Sequence, residues 1–301
     1  MSSRTSTRAK LTPFLFLAPA GLVLGLFWFL PALMAVLTSF THVSLGSSTD
    51  LLSQFRWIGL DNYLALLRDP LFLKAFFNSW IYLLGVVPPL VILPLLLAIL
   101  VNTPMRGIGF FRAAYYLPVV IPIVVVGLTW KWLYAENGLV NYVGQTLFPW
   151  LLKHPVPWLS LPETAMGAVM AVTIWKGLGY YMVIYLAGLQ GIPRDIYESA
   201  DLDGASRIQR HLYLTLPLML PQMGLVGIIS CINALKVFAE IWVLTKGGPL
   251  DSTTTMVYYL YQQAFEHLNM GYASAIGMAL FAMTLALSML NKYYSDRYAT
   301  T

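Results

Sequence analysis

The chain has 301 residues, of which 58% are hydrophobic and only 10% are charged. Soluble domains carry about 25% charged residues, so this composition leaves too little polar surface to coat a soluble protein and indicates an integral membrane protein. The formal net charge of +5 is small, and no run of basic residues suggests a nucleic-acid partner. The single cysteine, Cys231, excludes an intrachain disulfide.

The first apolar segment covers about residues 13–40, inside a stretch (residues 11–49) that contains no Asp, Glu, Lys or Arg. A helix of about 20 residues crosses the hydrocarbon core of a bilayer. Basic residues precede this segment, as in a signal peptide, but the apolar core of a signal peptide is only about 7–15 residues long. We therefore predict an uncleaved first span, preceded by an N-terminal cytoplasmic segment, residues 1–12.

Five further spans are predicted along the chain, at about residues 80–100, 113–133, 164–189, 212–244 and 272–290. A short amphipathic helix is expected before the second span, around Asp61 to Arg68. The predicted fold class is all-α and integral to the membrane, with six transmembrane helices. The domain boundaries are 13–291 for the six-span membrane domain and 292–301 for a cytoplasmic tail.

Prolines interrupt two of these apolar segments. Span two contains Pro88, Pro89 and Pro94, and span three contains Pro118 and Pro122. A membrane helix tolerates proline when neighbouring groups satisfy the freed carbonyls. We expect kinks in both spans.

The distribution of basic residues predicts the orientation, because cytoplasmic loops carry an excess of Lys and Arg. With six spans, both termini lie on one side, and the basic residues there outnumber those in the outer loops by ten to five. The ten are Arg4, Arg8, Lys10, Arg106, Arg112, Arg194, Arg207, Arg210, Lys292 and Arg297, and the five are Arg56, Arg68, Lys74, Lys153 and Lys246. Both termini and the loop of residues 191–211 are therefore predicted to be cytoplasmic.

That loop, called here the polar loop, is the longest polar interval in the chain and reads GIPRDIYESADLDGASRIQRH. Asp195 suits the positive end of a helix, and Gly204 can adopt the positive φ that ends one. A second helix is expected after Gly204, running into the apolar segment that contains Pro217. The predicted local structure is helix, glycine turn, helix.

The same residues resemble a family motif. Glu198-Ser199-Ala200, three residues, Gly204, nine residues, Leu214, one residue and Leu216-Pro217 resemble the EAA loop of ATP-binding-cassette (ABC) importer permeases. Ser199 and Leu214 depart from the alanine and isoleucine of the family pattern without changing its register. The resemblance implies the type I ABC importer permease fold, in which this loop is a coupling helix docked on an ATPase subunit. The residues to which it gives a coupling role are Glu198, Ser199, Ala200, Asp203, Gly204 and Pro217.

A second stretch, VFAEIWVLTKGGPLDSTTTMVYYLYQQAF, together with the later GYASA, resembles the carbohydrate branch of these permeases, similar to the maltose and glycerol-phosphate systems. The resemblance implies import of a sugar or polyol across a bacterial or archaeal inner membrane. It implies as partners a second homologous permease, two ATPase subunits and an extracytoplasmic solute-binding protein. The chain has no G-x-x-x-x-G-K-[ST] loop, so we expect ATP and magnesium on the partner subunits, no cofactor on this chain, and no enzymatic site of its own.

Polar side chains within the apolar segments are candidates for a solute pathway, because a charge inside the membrane is costly and faces a cavity or a partner. These candidates are Trp175, Lys176, Tyr180, Asn233, Lys236 and Glu240. Aromatic faces stack on sugar rings while polar groups bond hydroxyls. In the other interpretation, Lys236 pairs with Glu240 four residues later on the same helix face, and Lys176 snorkels or pairs across a subunit interface.

Two other functions fit part of this pattern. A secondary carrier driven by an ion gradient would use Lys236 and Glu240 for coupling, and an importer permease for another solute class would share the same EAA loop. A non-transporting scaffold or sensor is a further alternative. The four histidines are scattered without metal-ligand spacing, which argues against a metal site and an integral-membrane enzyme.

Overall fold

The structure is a computed structural model that describes residues 7–43, 56–103, 105–150 and 152–299. The prediction that placed Arg4 and the first residues in the cytoplasm therefore lies outside the described residues. In chain order the α-helices are α1 (Thr7–Leu24), α2 (Leu30–Ser39), α3 (Asp61–Leu66), α4 (Pro70–Val101), α5 (Ile108–Val120), α6 (Ile123–Leu133), α7 (Leu139–Leu147), α8 (Pro162–Gln190), α9 (Arg194–Leu202), α10 (Arg207–Arg210), α11 (Leu216–Leu218), α12 (Leu220–Leu235), α13 (Ala239–Leu244), α14 (Met256–Tyr261) and α15 (Met270–Ala299). Short π-helical segments occupy Gly25–Phe29, His211–Thr215 and Gln262–Glu266.

Within the described ranges, four helical stretches are long and apolar enough to cross a membrane: Phe16–Ser39, Pro70–Val101, Pro162–Gln190 and Met270–Leu290. Two bent helix pairs raise the number to six if each pair is one span. One pair is α5 with α6, whose axes differ by 98°, and the other joins Arg207–Leu218 to Leu220–Leu235 at 62°. Six predicted spans thus correspond to four continuous helices and two broken ones.

Proline breaks the helix in one of the two spans where kinks are expected. Helix α4 remains one helix of 32 residues through Pro88, Pro89 and Pro94. Close to Pro94, the Tyr185 hydroxyl of α8 donates a hydrogen bond to the Val91 carbonyl at 2.9 Å. This bond ties α8 to α4, whereas the carbonyl that Pro94 deprives of a helical donor is that of Leu90. In span three, by contrast, the helix stops before Pro122.

The chain forms two compact units, residues 1–68 with 260–279 and residues 69–259 with 280–301. In the first unit, β1 (Thr41–His42) and β2 (Arg56–Trp57) form a small antiparallel ladder. The buried Asn62 amide of α3 donates to the Ser39 and Thr41 carbonyls. Gly271 of α15 lies so close to Thr41 that a Cβ would sit 2.1 Å from the Thr41 carbonyl oxygen. Gly271 therefore serves the packing of α15 within this unit.

The second unit is built around α8, which packs against α4 and α5. Buried side chains from α4 and α8 meet in its core, and α12 adds Val226 to the same cluster. Tyr82, Val86, Val169, Val172, Met182 and Tyr185 are among these core residues. The predicted span four, residues 164–189, matches α8 closely.

The segment between α6 and α8 contains a helix, α7, that the sequence did not indicate. Asn141 of α7 is buried, and each of its amide atoms has two partners. Its Nδ2 donates to the carbonyls of Ala135 and Val156, and its Oδ1 accepts from the Val156 N–H and the Trp158 indole N–H. One side chain thereby ties the start of this segment to its end.

Gly179 allows α8 to approach α5 closely. A Cβ at this position would lie 2.1 Å from the Tyr115 carbonyl oxygen, which is backbone and cannot move away cheaply. We predict that Gly179→Ala lowers the free energy of unfolding by about 1–3 kcal/mol, the usual range for overpacking. Gly167→Ala in the same helix is the matched control, because its Cβ would have nothing within 4 Å.

Both substitutions raise helix propensity by a similar amount. The difference in stability between the two variants therefore measures the clash of the Cβ added at position 179 with the Tyr115 carbonyl. Thermal unfolding of the two variants in detergent measures this difference. Equal unfolding temperatures for the two variants would contradict the close α5–α8 contact.

Candidate functional site

The first half of the polar loop is a short helix with a well-formed glycine end. Helix α9 covers Arg194–Leu202, and Gly204 follows it with φ +73°, as the sequence predicted. The Ala205 N–H bonds the Ala200 carbonyl at 3.0 Å, and the Gly204 N–H bonds the Asp201 carbonyl at 3.1 Å. These two bonds form a Schellman motif, which reverses the chain at a fixed angle.

The second half begins with a capping box that the sequence analysis missed. Ser206 accepts from the Gln209 N–H, and the Gln209 side chain accepts from the Ser206 N–H. The S-x-x-Q spacing was the available signal for it. An ion pair of 2.6 Å joins Arg210 to Asp201 across the turn, and the Tyr197 hydroxyl lies 3.0 Å from Thr215 Oγ1. The helix–turn–helix is therefore braced by its own side chains.

The predicted coupling residues divide into one that packs inward and five that face out. Ala200 is buried, whereas the exposed members are Glu198, Ser199, Asp203, Gly204 and Pro217. Two large apolar side chains of the same unit are also exposed, with Leu202 at 90% and Ile208 at 71% of their full area. An exposed acidic and apolar surface on a braced turn is suited to contact with another protein.

A cavity of about 750 Å³, here the loop cavity, lies beside this turn. One side is basic and is formed by Arg207, Arg210 and His211. The other side is largely apolar and comes from the end of α4 and the start of α5, including Ile99 and Phe111. The described lining residues include no Asp or Glu, although Arg210 is paired with Asp201 outside the lining.

A second cavity, here the Lys176 cavity, has a volume of about 250 Å³ and is lined by the same spans. It brings together four of the six predicted pathway residues: Lys176, Tyr180, Asn233 and Glu240. Trp175 is not part of its lining, and its ring packs edge-on against Trp130 instead. Lys236 is also outside the lining, although it is exposed.

The alternative interpretation, in which Lys236 pairs with Glu240, is wrong. Helix α12 ends at Leu235 and α13 begins at Ala239, so the two residues do not share a helix face. The Thr255 hydroxyl donates to the Val237 carbonyl at 3.3 Å, which stabilises the non-helical connection. Among the described residues, neither Lys236 nor Glu240 has an ionic partner within 4 Å.

Two hydrogen-bonded pairs in the Lys176 cavity were not predicted. The Tyr82 hydroxyl lies 2.6 Å from Thr173 Oγ1, and Asn233 Nδ2 donates to the Tyr181 hydroxyl at 3.3 Å. Tyr82 lies in an apolar stretch where a tyrosine gives no distinguishing signal. These pairs show that polar side chains from α4, α8 and α12 face a common space.

Gly247-Gly248-Pro249, which follows span five, is part of a buried hydrogen-bonded cluster with Thr253 and Thr254, called here the threonine cluster. Gly247 has φ +81°, and the hydroxyls of Thr253 and Thr254 donate to the carbonyls of Gly248 and Gly247. The Asn78 amide of α4 donates to the carbonyls of Asp251 and Thr254 at 3.0 and 2.9 Å. The geometry gives this segment a packing role.

Residues 63–300 match the protein family described as "Binding-protein-dependent transport system inner membrane component". Since the match covers most of the chain, the protein belongs to this family: it is the membrane-embedded permease component of an ABC importer. Family membership places it in the inner membrane as a transporter component. It also sets aside the secondary carrier and the scaffold as alternatives.

Curated relatives match over nearly the full length. The chain is 36% identical to the sulfoquinovosyl glycerol transport system permease protein SmoG of Agrobacterium fabrum, over 93% of this chain and 88% of that protein. It is 32% identical to the lactose transport system permease protein LacF of Rhizobium radiobacter, over 93% and 92%. The arabinooligosaccharides transport system permease protein AraP of Bacillus subtilis is 31% identical, over 96% and 90%.

The fold also matches a solved permease chain. The crystal structure of a bacterial alginate ABC transporter, in complex with a periplasmic protein that holds an alginate pentasaccharide, superposes with a TM-score of 0.82. Sequence identity is 25%, and the superposition covers 99% of each chain. The predicted fold class, a type I ABC importer permease, is confirmed.

The bonds from Asn78 to the Asp251 and Thr254 carbonyls give a prediction that tests whether this segment has a packing role. Asn78→Leu leaves the Asp251 and Thr254 carbonyls without their donor, which should lower the free energy of unfolding by about 1–3 kcal/mol. Phe77→Leu is the control, since Phe77 is on the same turn of α4 and 61% exposed. If Asn78→Leu unfolds at the same temperature as Phe77→Leu, the packing role of this segment is contradicted.

Proposed function

We propose that this chain is one permease subunit of an ATP-driven importer of a saccharide or related polyol. The observation that carries the proposal is the braced helix–turn–helix of the polar loop, with its exposed Glu198, Leu202 and Ile208. The carbohydrate class is supported by the relatives, whose names refer to sulfoquinovosyl glycerol, lactose and arabinooligosaccharides.

In the proposed mechanism, the polar loop couples ATP hydrolysis on the partner subunit to movement of this subunit. Helix α9 docks in a groove of an ATPase subunit, where Glu198, Ser199 and Asp203 face the partner and Ala200 anchors the helix to its own subunit. The Gly204 turn and the Arg210–Asp201 ion pair pass movement of α9 to span five. Pro217 lies where that span begins its bend.

The remaining parts of the complex follow from the same proposal. ATP and magnesium are held by two ATPase subunits, and a second, homologous permease completes the membrane passage. A solute-binding protein outside the membrane delivers the solute, as in the alginate system named above. Both termini and the polar loop lie in the cytoplasm in this arrangement, because the ATPase subunits are there.

We further propose that the two cavities are successive stations of the solute pathway. Both are lined by α4, α5, α8 and the fifth span. In the Lys176 cavity, Tyr180 offers an aromatic face, and Asn233 and Glu240 offer groups that bond hydroxyls. Trp175 and Lys236 lie outside that lining, so they are not assigned a contact with the solute.

The glycine turn gives the first test. A β-branched residue at φ +73° costs about 1–2 kcal/mol or more, so Gly204→Val should reduce uptake and binding-protein-stimulated ATP hydrolysis by about tenfold. Gly204→Asn should retain most activity, because asparagine tolerates the left-handed conformation. The purified complex in proteoliposomes serves for both measurements.

Gly107→Val is the matched control for this substitution. Gly107 also has a positive φ, +83°, and open space around it, but it precedes α5 and is outside the polar loop. We expect it to have the smaller effect on coupling. Normal coupling in Gly204→Val, with equal membrane insertion, would contradict the proposed role of the loop.

The cavity gives the second test. Glu240→Gln should raise the apparent KM for solute by about tenfold, because a hydrogen bond to a charged group contributes about 1.5–3 kcal/mol. Lys236→Gln should leave KM near the wild-type value, since Lys236 is outside the cavity lining. The reverse pattern, with KM sensitive to Lys236 alone, would exclude this assignment.

A further inference from the structure

The third span is broken at a point where two backbone carbonyls lose their partners. Helix α5 ends at Val120 and α6 begins at Ile123, with a bend of 98° between them. In an α-helix the Pro118 carbonyl would accept from the N–H of residue 122, but residue 122 is proline and has no N–H. The Val119 carbonyl would accept from Ile123, which lies beyond the bend. An unpaired carbonyl inside a membrane costs several kcal/mol.

Lys176 of α8 donates to both of these carbonyls. Its Nζ lies 3.3 Å from the Pro118 oxygen and 3.1 Å from the Val119 oxygen. An ammonium group has three donors, so two of them are used here. No carboxylate of the described residues lies within 4 Å of it. The ammonium also sits at the carboxyl end of α5, where the helix dipole favours a positive charge.

The packing of α8 explains why Lys176 reaches this point. Residues 176 and 179 are three apart and share a helix face. Gly179 lies against the Tyr115 carbonyl, with no room for a Cβ. Lys176 lies one turn earlier in α8 and meets residues one turn later in α5, as antiparallel packing requires. The close approach at Gly179 thus sets the distance that the lysine side chain spans.

We propose that Lys176 is a positioning residue, which caps the broken third span and holds the wall of the Lys176 cavity, and that it does not bind solute. Val119 and Lys176 both line that cavity, so the capped end of α5 is part of its wall. The effect on transport rests on the proposed function, whereas the capping itself does not. Removing the cap is therefore expected to lower the transport rate while the apparent KM stays near its wild-type value.

Pro122→Ala provides an internal test, because alanine restores the N–H that the Pro118 carbonyl lacks. The experiment compares wild type, Lys176→Met, Pro122→Ala and the double variant, each purified with its partner subunits in lipid nanodiscs. Thermal unfolding requires no knowledge of the solute. We expect Lys176→Met to lower the unfolding temperature clearly in the wild-type background and much less in the Pro122→Ala background. Lys176→Arg, which keeps the donors, should stay close to wild type.

Uptake supplies the second readout, with the radiolabelled saccharide that the cognate binding protein retains from a mixture of labelled oligosaccharides. Lys176→Met should reduce the maximal rate by about tenfold, as expected for buried acceptors left without a donor, with KM within about twofold of wild type. If Lys176→Met cannot be recovered from membranes alone, its recovery with Pro122→Ala supports the cap, and failure in both backgrounds contradicts it.

Two results would overturn the proposal and leave the proposed function intact. One is an increase in KM with unchanged unfolding temperature, which assigns Lys176 to the solute. The other is an equal loss of stability in both proline backgrounds. Absence of saccharide uptake by the wild-type complex would instead count against the proposed function. The unfolding temperatures of the four proteins would still decide whether Lys176 caps α5.

Discussion

A backbone carbonyl inside a bilayer has no water to bond, so each point where a helix ends or bends within the membrane needs a donor from elsewhere in the protein. The second unit meets this demand repeatedly with side chains. Lys176 donates to Pro118 and Val119 at the end of α5, and Thr255 donates to Val237 between α12 and α13. Many polar groups of the apolar segments are thereby committed to the backbone.

This constraint narrows the set of residues available for solute. Within the Lys176 cavity, Tyr82 faces Thr173, Tyr181 faces Asn233, and Lys176 faces carbonyls. Lys176 and Glu240 are the charged groups among the residues that line this cavity, and neither has an ionic partner within 4 Å among the described residues. With few side chains left free to bond a solute, the separate binding protein of the proposed complex can do most of the selecting.

The polar loop follows a different physical logic, because it lies outside the apolar spans. Its shape is determined locally by the Gly204 turn, the Ser206–Gln209 capping box and the Arg210–Asp201 ion pair. A turn that keeps its shape without a partner can transmit a displacement instead of absorbing it. That property connects the loop's geometry to the proposed coupling of ATP hydrolysis with movement of span five.

Much of this structure follows from sequence patterns, and the misses have a common cause. Spans two and four matched α4 and α8 because long apolar runs have few other interpretations, and Gly204 was found because few residues favour a positive φ. The continuous α4 and the broken third span could not be told apart from the sequence, since both contain prolines and the difference lies in tertiary contacts such as those of Lys176 with the Pro118 and Val119 carbonyls. The pairing of Lys236 with Glu240 assumed a helix that ends at Leu235.

Site-directed cross-linking tests the central claim, that the polar loop docks on an ATPase subunit, most directly. In a Cys231→Ser background, Leu202→Cys places a thiol on the most exposed apolar residue of the loop. Leu250→Cys, beside the Gly-Gly-Pro turn on the predicted outer side, is the control and is also highly exposed, at 79% against 90% for Leu202. The account predicts a cross-link from position 202 to a co-purified ATPase subunit and none from position 250. Absence of any cross-link from 202 in an intact, ATP-hydrolysing complex would contradict it.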